Sequence, residues 1–204
     1  MTAFKTEQEN FWAGAFGDEY TERNVGLDRV ASNCALFSKI LARTGPVASI
    51  VELGANVGLN LRALRRLLPA AKLSAVEIND QAVAELHRIG DVNVVHGSLL
   101  DETVVPADMA LIKGVLIHIA PDNLSRAYER LNAAATRWLV VAEYYNPTPI
   151  EVSYRGHSNR LFKRDFAGEM LDRYSDLHLV DCGFAYHRGP FPQDDLTWFL
   201  LERR

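Results

Sequence analysis

Residues 49–60 read SIVELGANVGLN. The apolar run with β-branched residues at its start predicts a buried strand. Gly54 and Gly58 then predict a sharp turn, because glycine adopts backbone conformations that side chains forbid and lets a ligand approach the chain closely. Leucines at helical spacing follow over residues 59–68 and predict a helix. A strand, a glycine turn and a helix are the opening unit of a nucleotide-binding α/β fold.

The chemistry of this turn favours one cofactor over another. Leu61 stands where the dinucleotide fingerprint G-x-G-x-x-G has its third glycine. Glu52, at the end of the strand, would repel the phosphates of NAD, whereas a ligand with an ammonium or sulfonium group would favour a carboxylate there. S-adenosylmethionine (SAM) carries both groups, so the stretch predicts a SAM site. The alternative is that the glycines only form a tight turn and that Glu52 caps a neighbouring helix.

The bulk composition excludes several classes of protein. A chain of 204 residues with 48% hydrophobic and 24% charged residues is typical of one globular domain. The net charge of −4 gives no electrostatic case for binding nucleic acid or an anionic membrane. No apolar stretch is long enough to span a bilayer, the polar first ten residues predict no signal peptide, and Cys34 and Cys182 lack metal-site spacing. We therefore expect a cytoplasmic protein without a metal, and its oligomeric state stays open.

Strands and helices alternate from residue 47 onward. This pattern predicts a mostly parallel sheet with helices on both faces. Asp80 is the expected N-cap of the second of these helices. The last two strands, joined through residues 189–192, are expected to form an antiparallel pair at the sheet edge. The predicted strands are 49–53, 72–78, 92–95, 109–112, 138–142, 177–186 and 196–202, and the predicted helices are 27–43, 59–68, 80–89, 121–134 and 165–174.

The carboxyl ends of parallel strands carry the ligand in such folds, so the residues that follow each strand are site candidates. Glu77 closes the second strand 19 residues after Gly58, where a carboxylate can accept both ribose hydroxyls of an adenosine. Ser98 is expected to bond the adenine edge, and Leu99 to form its apolar wall. The backbone of Lys113 and Gly114 is expected to face the methionine part, although Lys113 would equally suit a solvated loop.

An aromatic N-terminal segment precedes the alternating pattern. Phe4, Phe11, Trp12, Phe16 and Tyr20 crowd into residues 4–24, and Gly14 and Gly17 are expected to interrupt any long helix. We interpret residues 1–25 as a lid-like segment in front of a single domain at residues 26–204. In this interpretation the rings of Trp12 and Tyr20 cover the cofactor, and Arg23 or Asn24 binds its carboxylate. The alternative is that the aromatic rings only pack on the domain.

Several motifs resemble known proteins. The layout of residues 26–204 resembles the class I SAM-dependent methyltransferases, which implies a Rossmann-like α/β fold with a seven-stranded, mostly parallel sheet and an antiparallel last strand. Nearly the full chain resembles the family of pseudaminic acid biosynthesis-associated methylases. The resemblance implies that Glu52, Gly54, Asn56 and Gly58 line the methionine end of SAM, and that Glu77 lies at the ribose. Ile78, which follows Glu77, is a further cofactor-binding candidate. The matching segments are 9–12 (ENFW), 16–20 (FGDEY), 52–60 (ELGANVGLN), 113–119 (KGVLIHI), 143–149 (EYYNPTP), 154–157 (YRGH), 162–169 (FKRDFAGE) and 194–200 (DDLTWFL).

Because of this resemblance, our first hypothesis is methyl transfer from SAM to a small polar acceptor, such as a sugar or a nucleotide sugar. A hydroxyl acceptor needs a group that takes its proton, since its pKa lies far above 7. His118, just past the fourth strand, is the first candidate for this base, and His157, in the long loop after residue 143, is the second. Tyr144 and Tyr145 are expected to orient the acceptor or to shield the sulfonium.

A basic group of residues would suit an acidic acceptor. Arg155, Lys163 and Arg164 could bind its carboxylate or phosphate, although they would equally suit a solvated surface. Two other functions stay open on the sequence alone: an NAD-dependent oxidoreductase, and a non-catalytic protein that binds SAM. Binding of NAD alone would favour the first of these, and SAM binding without turnover would leave the second open.

Overall fold

The structure is a computed structural model that describes residues 4–24 and 26–204. Residues 1–3 and Val25 of the predicted N-terminal segment lie outside the described residues. The helices are α1 (Glu7–Ala13), α2 (Ala15–Arg23), α3 (Leu27–Leu41), α4 (Leu59–Leu67), α5 (Asp80–His87), α6 (Pro121–Ala134) and α7 (Phe166–Arg173). The strands are β1 (Ser49–Leu53), β2 (Lys72–Glu77), β3 (Val92–His96), β4 (Ala107–Lys113), β5 (Ala135–Glu143), β6 (Ile150–Glu151), β7 (Phe162–Lys163), β8 (Leu177–Ala185) and β9 (Leu196–Arg203).

A seven-stranded sheet forms the centre of the molecule, with the order β3-β2-β1-β4-β5-β9-β8. Strands β1 to β5 are parallel to one another, and β9 runs antiparallel to both β5 and β8. The predicted α/β fold with an antiparallel last strand is therefore confirmed. The parallel strands place their carboxyl ends at one edge, where the glycine turn after β1 lies.

Each face of the sheet buries its own apolar cluster. On one face, Phe37 of α3, Leu64 of α4 and Leu86 of α5 belong to one cluster with strand residues such as Ile50. On the other face, Leu131 of α6 and Met170 of α7 share a cluster with strand residues that include Val51 and Ile112. Because β1 and β4 are covered on both faces, their sequences are nearly continuous apolar runs.

Three local details differ from the sequence-based expectation. The N-cap of α5 is Asn79 and not Asp80, because β2 ends at Glu77 and the Asn79 side chain accepts a hydrogen bond from the Ala82 N–H at 3.0 Å. Gly14 separates α1 from α2 as expected, but Gly17 lies within α2. A Cβ on Gly17 would collide with the carbonyl group of Trp12, so this glycine permits a close approach of two helices and does not break one. The long loop after β5 contains the short antiparallel pair β6–β7.

The start of β5 also differs from the prediction. This strand begins at Ala135, directly after α6 ends at Ala134, so the helix passes into the strand without a loop. The other element ends agree within one or two residues. None of the helices in residues 4–24 and 26–204 is long and apolar enough to cross a membrane.

Candidate active site

A cavity of about 770 Å³ lies at the carboxyl ends of the parallel strands. This is where open α/β sheets bind their ligands. The N-terminal helices form its opposite wall, so the segment predicted as a lid lies against the cavity. The predicted site residues that line it are Trp12, Tyr20, Asn24, Gly54, Asn56, Glu77, Ile78, Ser98, Leu99, Lys113, Gly114 and His118.

The glycine turn has the backbone geometry that the sequence predicts. Gly54 has a φ of 77°, and an added Cβ would lie 2.6 Å from Cγ2 of Val115. Gly58 has a φ of 74°, but it packs against Leu86 and Ile89 and does not line the cavity. The first glycine therefore brings the backbone to the cavity, while the second allows α4 to start close to α5.

We expect Gly54→Ala to lower the free energy of unfolding by about 2 kcal/mol or more, from left-handed strain plus overlap with Val115. Urea unfolding measures this change. Gly90→Ala is the matched control, since Gly90 has a φ of 72° with nothing within 4 Å of an added Cβ, and it isolates the backbone cost. Equal losses in the two variants would show that the contact with Val115 contributes nothing.

Glu77 holds the turn in place through both of its carboxylate oxygens. Oε2 accepts the Asn56 N–H at 2.6 Å, and Oε1 accepts the N–H groups of Ile78 and Asn79 at 2.9 Å each. Burial raises the pKa of Glu77, and these backbone hydrogen bonds oppose the shift. A carboxylate offers about four lone-pair sites, so one remains for a ligand.

Glu52 and Asn60 form a buried polar pair behind the cavity wall. Asn60 lines the cavity and donates its Nδ2–H to Oε1 of Glu52 at 2.5 Å. Oε2 of Glu52 and Oδ1 of Asn60 are buried without a hydrogen-bond donor among the described residues. Glu52 is 0% exposed, and its burial raises its pKa to about 8.

Lys113 ends β4 on the same face of the sheet as Glu52, because Glu52 pairs with Leu111 two residues earlier. It lines the cavity. Burial lowers the pKa of Lys113, and the nearby carboxylates of Asp194 and Glu52 oppose that shift. One end of the cavity therefore has Lys113 and Asn60 in its lining, with the Glu52 carboxyl group buried behind Asn60.

His118 lies in a 3-10 turn after β4 and is 7% exposed. Its Nδ1 lies 2.6 Å from the carbonyl oxygen of Arg160. A carbonyl oxygen only accepts, so Nδ1 carries the proton and the neutral ring keeps a lone pair on Nε2. Burial lowers the pKa of His118 to about 4, which keeps the ring neutral near pH 7.

The turn that carries His118 is itself anchored by Glu143 at the end of β5. Oε1 of Glu143 accepts the N–H groups of Val115 and Leu116, at 2.9 Å each. Burial raises the pKa of Glu143 to about 7, against the opposing effect of these hydrogen bonds. This carboxylate is not among the site residues predicted from the sequence.

Other predicted residues lie outside the cavity lining. Tyr145 is partly exposed and contacts Phe199, and His157 packs against Phe11. Arg164 pairs with Glu169 at 2.5 Å. The cavity therefore brings His118 together with the cofactor candidates other than Arg23, Glu52 and Gly58, but not with the basic candidates. The predicted residues that do not line the cavity are Arg23, Glu52, Gly58, Tyr144, Tyr145, Arg155, His157, Lys163 and Arg164.

Two segments that contain no site residue predicted from the sequence also line the cavity. One is the start of α3, and the other is the β8–β9 loop, where Gln193 donates to Oδ1 of Asn33 at 3.0 Å. The polar side chains at i, i+4 spacing at the start of α3 were the available signal. The lining residues of these segments are Asp28, Arg29, Ser32, Asn33, His187, Pro190, Phe191, Pro192, Gln193 and Asp194. Within the described ranges, no group of three or more His, Cys, Asp or Glu could hold a metal ion.

No protein-family model matches this chain, and no curated protein matches it. Solved structures do match. Mitomycin 7-O-methyltransferase is 15% identical with a TM-score of 0.68, and the match covers 98% of this chain but 61% of that one, so this chain spans about three fifths of its length. Magnesium protoporphyrin IX methyltransferase from Synechocystis PCC 6803, solved with bound S-adenosylhomocysteine (SAH), is 13% identical over 96% of this chain and 97% of that one, with a TM-score of 0.69.

A third match is 1,6-didemethyltoxoflavin-N1-methyltransferase from Burkholderia thailandensis, solved with 1,6-didemethyltoxoflavin and SAH. It is 14% identical over 100% of this chain and 93% of that one, with a TM-score of 0.69. At these identities the likeness shows the fold, which is the Rossmann-like fold of SAM-dependent methyltransferases. Magnesium protoporphyrin IX methyltransferase from Synechocystis PCC 6803 has also been solved with bound SAM.

Proposed function

We propose that this protein transfers a methyl group from SAM to a small polar acceptor, namely a sugar or nucleotide sugar of surface nonulosonic (pseudaminic) acid biosynthesis. The observation that carries the SAM assignment is the polar end of the cavity. Lys113 and Asn60 line that end, and Asn60 donates a hydrogen bond to the carboxyl group of Glu52, which is buried directly behind it. An amine and an amide in the lining, backed by a buried carboxyl group, match the carboxylate and ammonium groups of an amino acid, which SAM has and NAD lacks.

The remaining cavity residues fit the adenosine part. The free lone-pair site of the Glu77 carboxylate suits a ribose hydroxyl, and the second hydroxyl would compete with the Asn56 N–H for Oε2. Ser98, Leu99 and Ile78 line the cavity beside Glu77 and suit the adenine ring. When bound, SAM supplies an electrophilic methyl group on a sulfonium sulfur.

His118 is the proton acceptor in this proposal. Its Nε2 keeps a lone pair, because Nδ1–H is engaged by the Arg160 carbonyl, and the residue lines the cavity. A neutral imidazole at pH 7 can take the proton from an acceptor hydroxyl as that oxygen forms its bond to the methyl carbon. Much of the rate enhancement would come from holding the two reactants in contact.

The acceptor proposal rests on the resemblance to the pseudaminic acid family and on one part of the cavity wall that is rich in polar side chains. The start of α3 contributes Asp28, Arg29 and Ser32 to that wall, and the β8–β9 loop contributes Phe191, which is 55% exposed. Hydroxyl-rich ligands suit such side chains, and an exposed ring suits the apolar face of a sugar. Arg155, Lys163 and Arg164 remain candidates for an acidic group that extends beyond the cavity.

Calorimetric titration with SAM, SAH and NAD tests the proposal. We expect micromolar dissociation constants for SAM and SAH, which correspond to a binding free energy of about −8 kcal/mol, and no binding heat with NAD. A screen of nucleotide-linked and nonulosonic sugars with SAM then tests the acceptor. Binding of NAD alone would overturn the cofactor assignment, whereas SAM binding without turnover on any of these sugars would overturn the acceptor.

We further propose that the N-terminal segment closes over the cofactor. We therefore expect SAM to slow tryptic cleavage after Arg23 severalfold, because α2 borders the cavity. Cleavage after Arg43, in the exposed turn that follows α3, is the internal control and should not change. Equal rates after Arg23 with and without SAM would count against closure.

A further inference from the structure

The loop at residues 157–160 presents the carbonyl group that holds His118, and α1 holds that loop. Arg160 is only 9% exposed, and its guanidinium pairs with the carboxylate of Glu7 of α1 at 2.5 Å. It also lies 4.9 Å from the ring of Phe11. Gln8 of α1 donates to the carbonyl oxygen of Asn159 at 3.1 Å, and the Arg160 side chain donates to the same oxygen at 2.9 Å.

The backbone of this loop and of the two residues before it is strained, although Tyr154 and His157 exchange two backbone hydrogen bonds of 2.9 Å. Arg155, Gly156 and Asn159 have φ values of 50°, 85° and 57°, in the left-handed region that non-glycine residues rarely adopt. Such conformations cost free energy and persist only where surrounding contacts impose them. For Asn159 those contacts include Glu151, which accepts its N–H at 2.5 Å, and Gln8.

The rings around His118 come from the same elements. Trp12 of α1 lies 4.6 Å from the imidazole centroid and Tyr154 lies 5.0 Å from it. Both rings exclude water from the imidazole. If α1 moved away, His118 would lose the Trp12 ring and the anchors of its carbonyl partner together.

We propose that Glu7, Gln8 and Phe11 of α1, together with residues 157–160, form a clasp that fixes His118 as the Nδ1–H tautomer. Glu7, Gln8 and Arg160 are positioning residues in this proposal. It rests on the proposed role of His118 as the proton acceptor. The consequence is that Nε2 becomes a proton acceptor only when the N-terminal segment is seated, which links closure over the cofactor to the readiness of the base.

Among the described residues, three further titratable groups lie near His118 or near the aromatic rings beside it. Glu143 approaches from β5, but its Oε1 is engaged by backbone N–H groups of the turn. The Arg155 guanidinium lies over the ring of Tyr154, 5.9 Å from its centroid. His157 lies against Phe11 and Phe16. The carbonyl oxygen of Arg160 is thus the hydrogen-bond partner of the imidazole within the described residues.

Nitrogen-15 NMR of histidine-labelled protein tests the clasp without an acceptor. In the native protein we expect the His118 signals of an Nδ1–H tautomer that does not titrate between pH 5 and pH 8, assigned by their loss in His118→Gln. In Arg160→Ala we expect mixed tautomers and an upward shift of the His118 pKa by at least about one unit, toward the ordinary value near 6.5. Glu7→Gln, which removes only the charge, should shift it in the same direction by less. Glu22→Gln is the matched control, since Glu22 is exposed on α2, and it should change nothing.

The outcomes separate this proposal from the proposed function. An Nε2–H tautomer in the native protein would overturn the clasp, whatever calorimetry shows for SAM. Unchanged His118 signals in a folded Arg160→Ala variant would also overturn it, and if that variant does not fold, Glu7→Gln decides in the same way. Absence of SAM binding in the native protein would overturn the proposed function while leaving the tautomer measurement valid.

Discussion

Glu77→Ala is expected to raise the dissociation constant for SAM at least about a hundredfold. The carboxylate is the proposed acceptor for the ribose, and a hydrogen bond to a charged group contributes about 1.5–3 kcal/mol. The variant also loses the acceptor for three backbone N–H groups, those of Asn56, Ile78 and Asn79. The turn that shapes the cavity therefore loosens as the ligand contact is lost.

The free energy of unfolding of Glu77→Ala should fall by about 2 kcal/mol or more for the same reason. Calorimetry at a temperature where the variant is fully folded separates binding from stability. Glu77→Gln is the control, because it keeps the side-chain volume and one acceptor oxygen, and its affinity should lie between the other two. Unchanged SAM affinity in a folded Glu77→Ala variant would remove the ribose assignment.

The second large effect is a pH dependence of SAM binding that Glu52 controls. Burial raises the pKa of Glu52 to about 8, so this carboxyl group is protonated in the free protein at pH 7. A bound ammonium group nearby lowers that pKa, so the complex holds fewer protons than the free protein. SAM affinity should therefore rise about tenfold per pH unit between pH 6 and pH 7 and level off near pH 8.

Glu52→Gln provides the control for this pH dependence. An amide does not ionise, so the rise in affinity between pH 6 and pH 8 should disappear, and affinity at pH 8 should drop about tenfold or more. Calorimetry of the native protein at pH 7 in buffers of different ionisation enthalpy should also report about one proton released per SAM bound. A pH-independent affinity in the native protein would mean that Glu52 does not sense the ligand.

The Glu52→Gln variant should be at least as stable to unfolding as the native protein at pH 8. Because the folded-state pKa of Glu52 lies above its ordinary value of 4.5, the folded protein binds more protons than the unfolded chain between those two pH values. Stability from this group therefore falls as pH rises from about 4.5 to about 8. Because glutamine does not ionise, the Glu52→Gln variant does not lose stability in this way as the pH rises.

The parts of the site that the sequence predicted well are local ones. The strand, turn and helix around Gly54 are encoded within residues 49–67, and Glu77 follows the next strand at a spacing that the α/β unit imposes. His118 was found in the same way, as a residue just past a strand end. Position along the chain determines position at the sheet edge for such residues, so one sequence is enough to find them.

Contacts between distant segments could not be read in this way. Arg29 of α3 and Asp194 of the β8–β9 loop line one cavity although 165 positions separate them. Arg160 reaches Glu7 across a similar span. Neither element has a pattern that specifies its partner, because helix packing on a sheet depends on the shape of both surfaces. The basic residues at 155, 163 and 164 show the converse, since their sequence chemistry suited a ligand while Arg164 found its partner in Glu169.

The position of β9 between β5 and β8 has a consequence for how the chain acquires its fold. Strand β8 is synthesised before β9, but it has no partner strand in the sheet until residues 196–203 pair with β5. During synthesis, the apolar edge of β5 therefore stays open until the ribosome has released the following sixty residues. We expect this interval to be the step at which nascent chains aggregate or require a chaperone, because an unpaired strand edge can pair with other chains.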